Sequence, residues 1–191
     1  MRIVQPATPE QLETFRDLLR EWFDRLVHQH GIDMRYQSIE AELAGLPGYY
    51  GPPRGGIWLA YDDSGSDDAG RGDPGGGEAG GSSDANRGEA GRGEAVGCVA
   101  LRPMADDGVC ELKRLYVRPD HRGVGIGRAL TVRAIDEARA MGYRLMRLDT
   151  GTFLDASQRL YASLGFVGRD AYYDVPPDVL RVTVFLELRL T

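Results

Sequence analysis

Three glycines at alternate positions, Gly123, Gly125 and Gly127, stand between a strand-like stretch and a helical run. Glu111 to Val117, E-L-K-R-L-Y-V, is rich in residues that favour strands, and Pro119 and Asp120 end that pattern. From Ala129 to Met141 the apolar residues Leu130, Ala134, Ile135 and Ala138 fall at helical spacing. Glycines at such a junction let the backbone come close to a ligand. They also leave N–H groups unshielded at a helix N-terminus, where partial positive charge gathers. The junction therefore suits a phosphate or pyrophosphate. The spacing is G-x-G-x-G rather than G-x-G-x-x-G, and no acidic residue is placed for a ribose as in a dinucleotide fold. No Gly-Lys-Ser/Thr follows, which excludes a Walker-type loop. An ordinary strand-to-helix turn would look the same if nothing else matched.

Three matches narrow the choice. R-G-V-G-I-G, Arg122 to Gly127, fits an Arg/Gln-x-x-G-x-Gly/Ala signature. Glu111 lies eleven residues before Arg122, and Leu160-Tyr161-Ala-Ser-Leu-Gly165-Phe166 follows an L-Y-x-x-x-G-F pattern. On these residues, from about Val96 to Val167, the chain resembles the GNAT superfamily of acetyl-CoA-dependent N-acetyltransferases. The resemblance implies an α/β (α+β) GNAT fold. Its central sheet is mixed, mostly antiparallel and flanked by helices, with a parallel strand pair at the acetyl-CoA site. Main-chain groups of Leu115, Tyr116 and Val117 would align the pantetheine arm like an added strand. One of their N–H groups would polarise the thioester carbonyl. The N–H groups of Gly123, Val124, Gly125, Ile126, Gly127 and Arg128 would hold the pyrophosphate, with charge added by Arg122 or Arg128. Glu111 takes the place of a general base, Tyr161 that of the acid near the departing sulfur. Tyr49 and Tyr50 would border the acceptor pocket. No metal is implied.

A structural alternative stands beside each role. Glu111 could pair with an arginine on a neighbouring strand, and Tyr161 could be a core tyrosine under the CoA arm. Tyr49 and Tyr50 could belong to a packed loop. Family members often carry Asn seven residues before this tyrosine; here that position is Leu154, so that cofactor contact is absent.

The expected activity is transfer of acetyl from acetyl-CoA to a primary amine of a small-molecule or amino-acid-like acceptor, by direct attack. The alternatives are a non-catalytic acyl-CoA-binding or sensor domain, and protein N-terminal or lysine acetylation.

The elements that must position these residues follow from local pattern. Arg2 to Gln5 is a short strand. Thr8-Pro9-Glu10-Gln11 is a helix start, with Thr8 as N-cap, Pro9 at the first position and Gln11 completing a capping box. Leu12, Phe15, Leu18, Leu19, Trp22, Phe23 and Leu26 then recur at helical spacing, with His28 and His30 as solvated residues near its end. Ser38 starts a second helix, and Leu46 to Gly56 is a proline- and glycine-rich loop. Strands are expected at 57–61, 95–101, 109–117, 144–149 and 182–190. A helix at 156–164 is stopped by Gly165. Strand–helix–strand order makes 109–117 and 144–149 a parallel pair.

With 191 residues the chain is expected to form a single domain, 1–191. Asp62 to Glu94 interrupts it with eleven glycines and no aliphatic or aromatic residue larger than alanine. That composition cannot offset the entropy of ordering, so a mobile loop within a hairpin is expected. The segment carries nine acidic and three basic residues. Removing these from 29 acidic and 23 basic leaves 20 of each, so the remainder is neutral and is no nucleic-acid surface. Lys113 is the only lysine, which fits a GC-rich genome or a high-salt cytoplasm. Cys98 and Cys110 are expected as buried thiols without a disulfide. No apolar run reaches membrane-spanning length and no signal-peptide pattern opens the chain, so a cytoplasmic protein is expected. A homodimer is compatible with this reading.

Overall fold

The computed structural model describes residues 1–30, 39–63 and 93–190, without the side chains of 29, 30 and 39. In chain order the elements are β1 (Arg2–Val4), α1 (Pro9–His30), α2 (Ile39–Ala44), β2 (Gly56–Asp62), β3 (Glu94–Pro103) and β4 (Val109–Val117). There follow α3 (Ile126–Ala140), β5 (Leu145–Gly151), α4 (Asp155–Ser163), β6 (Val167–Arg169), α5 (Pro177–Leu180) and β7 (Thr183–Arg189). Short 3₁₀ turns lie at Gly48–Tyr50 and Pro119–His121. The start of α2 at Ser38, the His30 side chain and most of the 62–94 segment lie outside the described residues.

One seven-stranded sheet runs in the order β1-β2-β3-β4-β5-β7-β6. All neighbours pair antiparallel except β4 and β5, which run parallel through the α3 crossover. The parallel ladder is short: Val109, Cys110 and Glu111 face Leu145, Met146 and Arg147. Beyond Glu111, β4 continues six residues without pairing to β5.

Two apolar layers cover the sheet. On one face α3 buries Ile126, Leu130, Ala134, Ile135 and Ala138 against Trp58, Val96, Val99, Leu101 and Met146. On the other face α1 buries Phe15, Leu18, Leu19, Phe23 and Leu26 against Leu59, Cys98, Ala100 and Tyr116. Each such fully buried side chain stabilises the fold by about 1.5–3 kcal/mol relative to exposure. Both cysteines are buried and free. They do not oppose each other, since Cys98 faces Tyr116 and Cys110 faces Pro103.

Thr8 caps α1 as its spacing dictates, and the Gln11 side chain reaches back to the N–H one residue before the cap. Gln11 N–H donates to Thr8 Oγ1 at 3.3 Å, while Gln11 Oε1 accepts from Ala7 N–H at 2.8 Å. α4 ends in a Schellman turn: Gly165 takes φ +90°, with Phe166 N–H bonded to Tyr161 O and Gly165 N–H to Ala162 O. Three boundaries differ from expectation. α3 begins at Ile126, three residues early, because a left-handed Gly125 serves as its N-cap and leaves Gly127 inside the helix. β6 and α5 were not foreseen, and at three and four residues they are too short for a period to register. Asp62 and Glu94 are the last cross-strand pair of the β2–β3 hairpin, and Asp63 pairs with Arg2, so the ends of the low-complexity segment belong to the fold.

Candidate active site

β4 carries an irregularity that shapes the site. Lys113 faces Ala100 and Tyr116 faces Cys98, so two residues of β4 oppose the single Val99. This bulge centres on Arg114, whose φ of 61° is the only positive value outside glycine among the described residues. A left-handed non-glycine residue costs about 1–2 kcal/mol. Its side chain is held in return. Arg114 Nε donates to Glu42 Oε1 at 2.7 Å, a second guanidinium nitrogen reaches Glu42 Oε2, and the group lies over the rings of Trp22 and Phe23. Tyr50 donates its hydroxyl to the same Glu42 at 2.8 Å. Burial opposes the charge on Glu42, but the bonds and charge of Arg114 outweigh it and hold this carboxyl below its usual range.

Next to this pair lies a second charged group. Glu111 is fully buried. Its Oε2 accepts from Arg102 Nε at 2.6 Å, and its Oε1 accepts from the Tyr172 hydroxyl at 2.6 Å. Lys113 Nζ sits 3.5 Å from that same Oε1 and binds Asp149 of β5 across the gap between the strands. Burial disfavours ionised Asp149. The Lys113 charge and hydrogen bond, with help from Arg114 and the Tyr173 hydroxyl, outweigh that and lower its pKa. The Asp149 charge in turn acts on Tyr161. That phenol is 5% exposed and packs edge-on against Phe166 at 5.5 Å. Burial first, and Asp149 second, push its pKa well above the ordinary value.

The glycine turn lies beyond the end of β4. Gly123 and Gly125 take φ of +82° and +93°, conformations that suit glycine, and Val124 between them is 76% exposed. A Cβ added at either glycine would meet no protein atom within 4 Å. No side chain caps α3, and its first main-chain acceptor bond is Ala129 N–H to Gly125 O. The amides of Ile126, Gly127 and Arg128 therefore precede the first intrahelical donor. A Cβ on Gly127 would lie 3.7 Å from both Leu160 and Val117, so the helix start sits between α4 and the end of β4.

The structure thus brings together the free edge of β4 at 115–117, the glycine turn, Glu111, Asp149 and Tyr161. The Tyr116 side chain turns away from this edge and donates to Glu21 of α1 at 2.6 Å. Arg122 Nε donates to Val117 O at 2.8 Å, and Arg128 donates to Ser163 Oγ at 3.1 Å; both guanidinium groups are bonded to protein. Of the loop tyrosines, Tyr50 is buried on Glu42, whereas Tyr49 is 75% exposed. Leu154 is the N-cap of α4 without a side-chain cap bond; Gln158 Nε2 donates instead to the carbonyls of Gly151 and Thr152.

Sequence reasoning missed Arg102, Lys113, Arg114, Asp149, Tyr172 and Tyr173. A signal for the first group existed. Charged residues at 111, 113 and 114 of a strand bounded by apolar neighbours are rarely buried unless paired. The tyrosines lie in an aperiodic stretch between β6 and β7, where no local pattern marks them. Among the described residues no cluster of His, Cys, Asp and Glu could hold a metal, and no helix is long and apolar enough to cross a membrane.

Comparison with known proteins places this architecture. Residues 78–166 match the acetyltransferase (GNAT) family. An uncharacterized N-acetyltransferase of Schizosaccharomyces pombe is 34% identical over 90% of this chain and 86% of its own. The yncA protein of Salmonella typhimurium, solved with acetyl-CoA, superimposes with a TM-score of 0.59 at 22% identity, covering 100% of this chain and 94% of its own. The paia N-acetyltransferase of Thermoplasma acidophilum, solved with coenzyme A, gives a TM-score of 0.64 at 19% identity, with 99% of each chain covered. The chain belongs to the GNAT family of acetyltransferases. It is an acyltransferase, built on the mixed sheet with one parallel pair expected for that family.

Proposed function

We propose that this protein transfers the acetyl group of acetyl-CoA to a primary amine of a small, amino-acid-like acceptor. One observation carries the reading. The edge of β4 freed at Glu111 leads straight to an uncapped helix N-terminus behind two left-handed glycines. A pantetheine arm needs an unpaired strand edge, and a pyrophosphate needs unshielded amides. Both are here in the order that the cosubstrate presents them. The solved relatives carrying acetyl-CoA or coenzyme A support the same assignment.

Acetyl-CoA supplies an acetyl group already activated as a thioester. The protein's residues do the rest. Main-chain groups of Leu115, Tyr116 and Val117 offer donors and acceptors along one edge, and an N–H there can polarise a carbonyl. The amides of Gly123 to Arg128 bind anionic oxygen. Glu111 removes a proton from the acceptor, since an ammonium is no nucleophile; such help is worth roughly 100- to 10,000-fold. Tyr161 holds a hydroxyl proton beside Asp149 for the departing sulfur. Burial keeps the phenol protonated at neutral pH. The buried setting of Glu111, Lys113 and Asp149 under Tyr172 and Tyr173 favours a small acceptor over a protein segment, with Tyr50 and Tyr49 on the acceptor side.

Calorimetry with acetyl-CoA, followed by thiol release over a panel of L-amino acids and primary amines, tests this. Binding together with turnover of a small amine is expected. Binding without turnover of any amine would make the protein a sensor. Turnover of peptide amines alone would move it to protein acetylation.

A further inference from the structure

Glu111 touches no solvent. A base so placed cannot collect a proton from an acceptor directly. Something that touches both must carry it. The groups at its carboxylate are Arg102, Lys113 and Tyr172. A guanidinium does not give up its proton in proteins and has no lone pair to accept another. An ammonium also lacks an acceptor, and the short contact of Lys113 is to Asp149 rather than Glu111. A hydroxyl alone can accept one proton while donating its own.

We propose that Tyr172 is the proton carrier between the acceptor amine and Glu111. The proposal rests on Glu111 being the base. In the step, an N–H bond of the acceptor ammonium breaks and its proton passes to Tyr172 Oη. The O–H bond of Tyr172 breaks as its proton passes to Glu111 Oε1, 2.6 Å away. The nitrogen keeps its electron pair for attack on the acetyl carbonyl carbon. Tyr172 ends unchanged, and Glu111 ends as the carboxylic acid. The reverse path to solvent restores it after the product leaves.

The setting suits a carrier. Tyr172 is half-buried, whereas the carboxylate that its hydroxyl bonds is sealed. Its ring is fixed against Tyr173 and Phe185 at 5.1 and 5.3 Å. The guanidinium groups of Arg147 and Arg169 lie over it at 5.6 and 5.2 Å. Burial, then the charges of Glu111 and Asp149, raise its pKa far above the ordinary range. The phenol therefore keeps its proton at neutral pH. Around this pair the charged groups are Arg102 from β3, Lys113 from β4, Arg147 and Asp149 from β5, Arg169 from β6 and, paired with both of these arginines, Glu187 from β7.

The test is single-turnover acetyl transfer by Tyr172→Phe, Glu111→Gln and the double variant. It uses acetyl-CoA and whichever amine of the panel reacts fastest. The phenylalanine keeps the ring packing, and an unchanged Kd for acetyl-CoA confirms the fold. We expect Tyr172→Phe to lose roughly 100-fold at neutral pH. The loss should shrink as pH rises and the acceptor becomes neutral unaided. The double variant should be no slower than the slower single one, because both residues serve one transfer. A full rate in Tyr172→Phe, a loss independent of pH, or losses that multiply in the double variant would each overturn the carrier role. A fall confined to acetyl-CoA affinity would also overturn it. Full activity in Glu111→Gln instead defeats the base assignment itself, and the two failures are thereby distinguished.

Discussion

Lys113 and Asp149 are joined across the gap where β4 and β5 cease to pair. The chain has one lysine among 23 basic residues, and it occupies this position. An ammonium is a compact point charge on a thin stem, whereas a guanidinium is a planar fork. Lys113→Met would leave Asp149 buried without its cation. Breaking a buried pair from one side costs about 3–5 kcal/mol, and a loss of that order in chemical unfolding is expected. The pH dependence has a definite sign. The native Asp149 carboxyl lies below its ordinary 3.8, so its ionised form stabilises the fold above that pH and loses this effect as pH falls through the native value. The difference between wild type and Lys113→Met should be widest at neutral pH and narrow below about pH 4. A gap that widened in acid would show that Lys113 does not act through Asp149.

Gly125→Asp should abolish acetyl-CoA binding in calorimetry. The substitution places a negative charge at the helix N-cap, where amides face an anion, and forces aspartate to φ +93°. Gly125→Ala carries the strain, about 1–2 kcal/mol, without the charge and should bind more weakly than wild type but measurably. A folded Gly125→Asp with unchanged affinity would remove the pyrophosphate from this turn.

Glu111→Gln and Tyr161→Phe should fail differently. The first loses a base, so its single-turnover defect shrinks as pH rises. The second loses a hydroxyl needed only as the thioester breaks, so it lowers the chemical rate and leaves the Kd for acetyl-CoA in place. Should Tyr161→Phe weaken binding and spare the chemical step, its contact with Phe166 is its whole role.

Tyr116 separates main-chain from side-chain contributions. Its hydroxyl bonds Glu21 on the far face of the sheet, while its backbone belongs to the cosubstrate edge. Tyr116→Phe should cost about 1–2 kcal/mol of stability and leave acetyl-CoA affinity unchanged. A large change in Kd would show that the side chain reaches the cosubstrate.

Much of this was legible in the chain. The glycine turn, the strand before it and the helix after it are marked by residues with strong local preferences, and the parallel pair follows from their order. Thr8 and Gln11 fixed the start of α1 through a local bond. The site was legible only in its backbone half. Glu111 could be singled out by its distance from Arg122, but the side chains that set its behaviour come from β3, β5 and the loop before β7. Those contacts span from 9 to 61 residues in sequence, beyond any local period. The left-handed Arg114 was equally hidden, because such a backbone is ordinarily announced by glycine or asparagine.

That one arginine reverses the parity of its strand. Ahead of it, even-numbered Cys110 and Leu112 join the layer under α3; after it, even-numbered Tyr116 joins the layer under α1, and Leu115 and Val117 take the α3 side. The two halves of β4 thus obey opposite rules of alternation, and residue 114 is the comma between them. Deleting it would leave the composition of the strand almost untouched. Nor would it move Leu115, Tyr116 or Val117 to the other layer: with the extra residue gone the alternation runs unbroken from Cys110 to Val117, and only the bulge is lost.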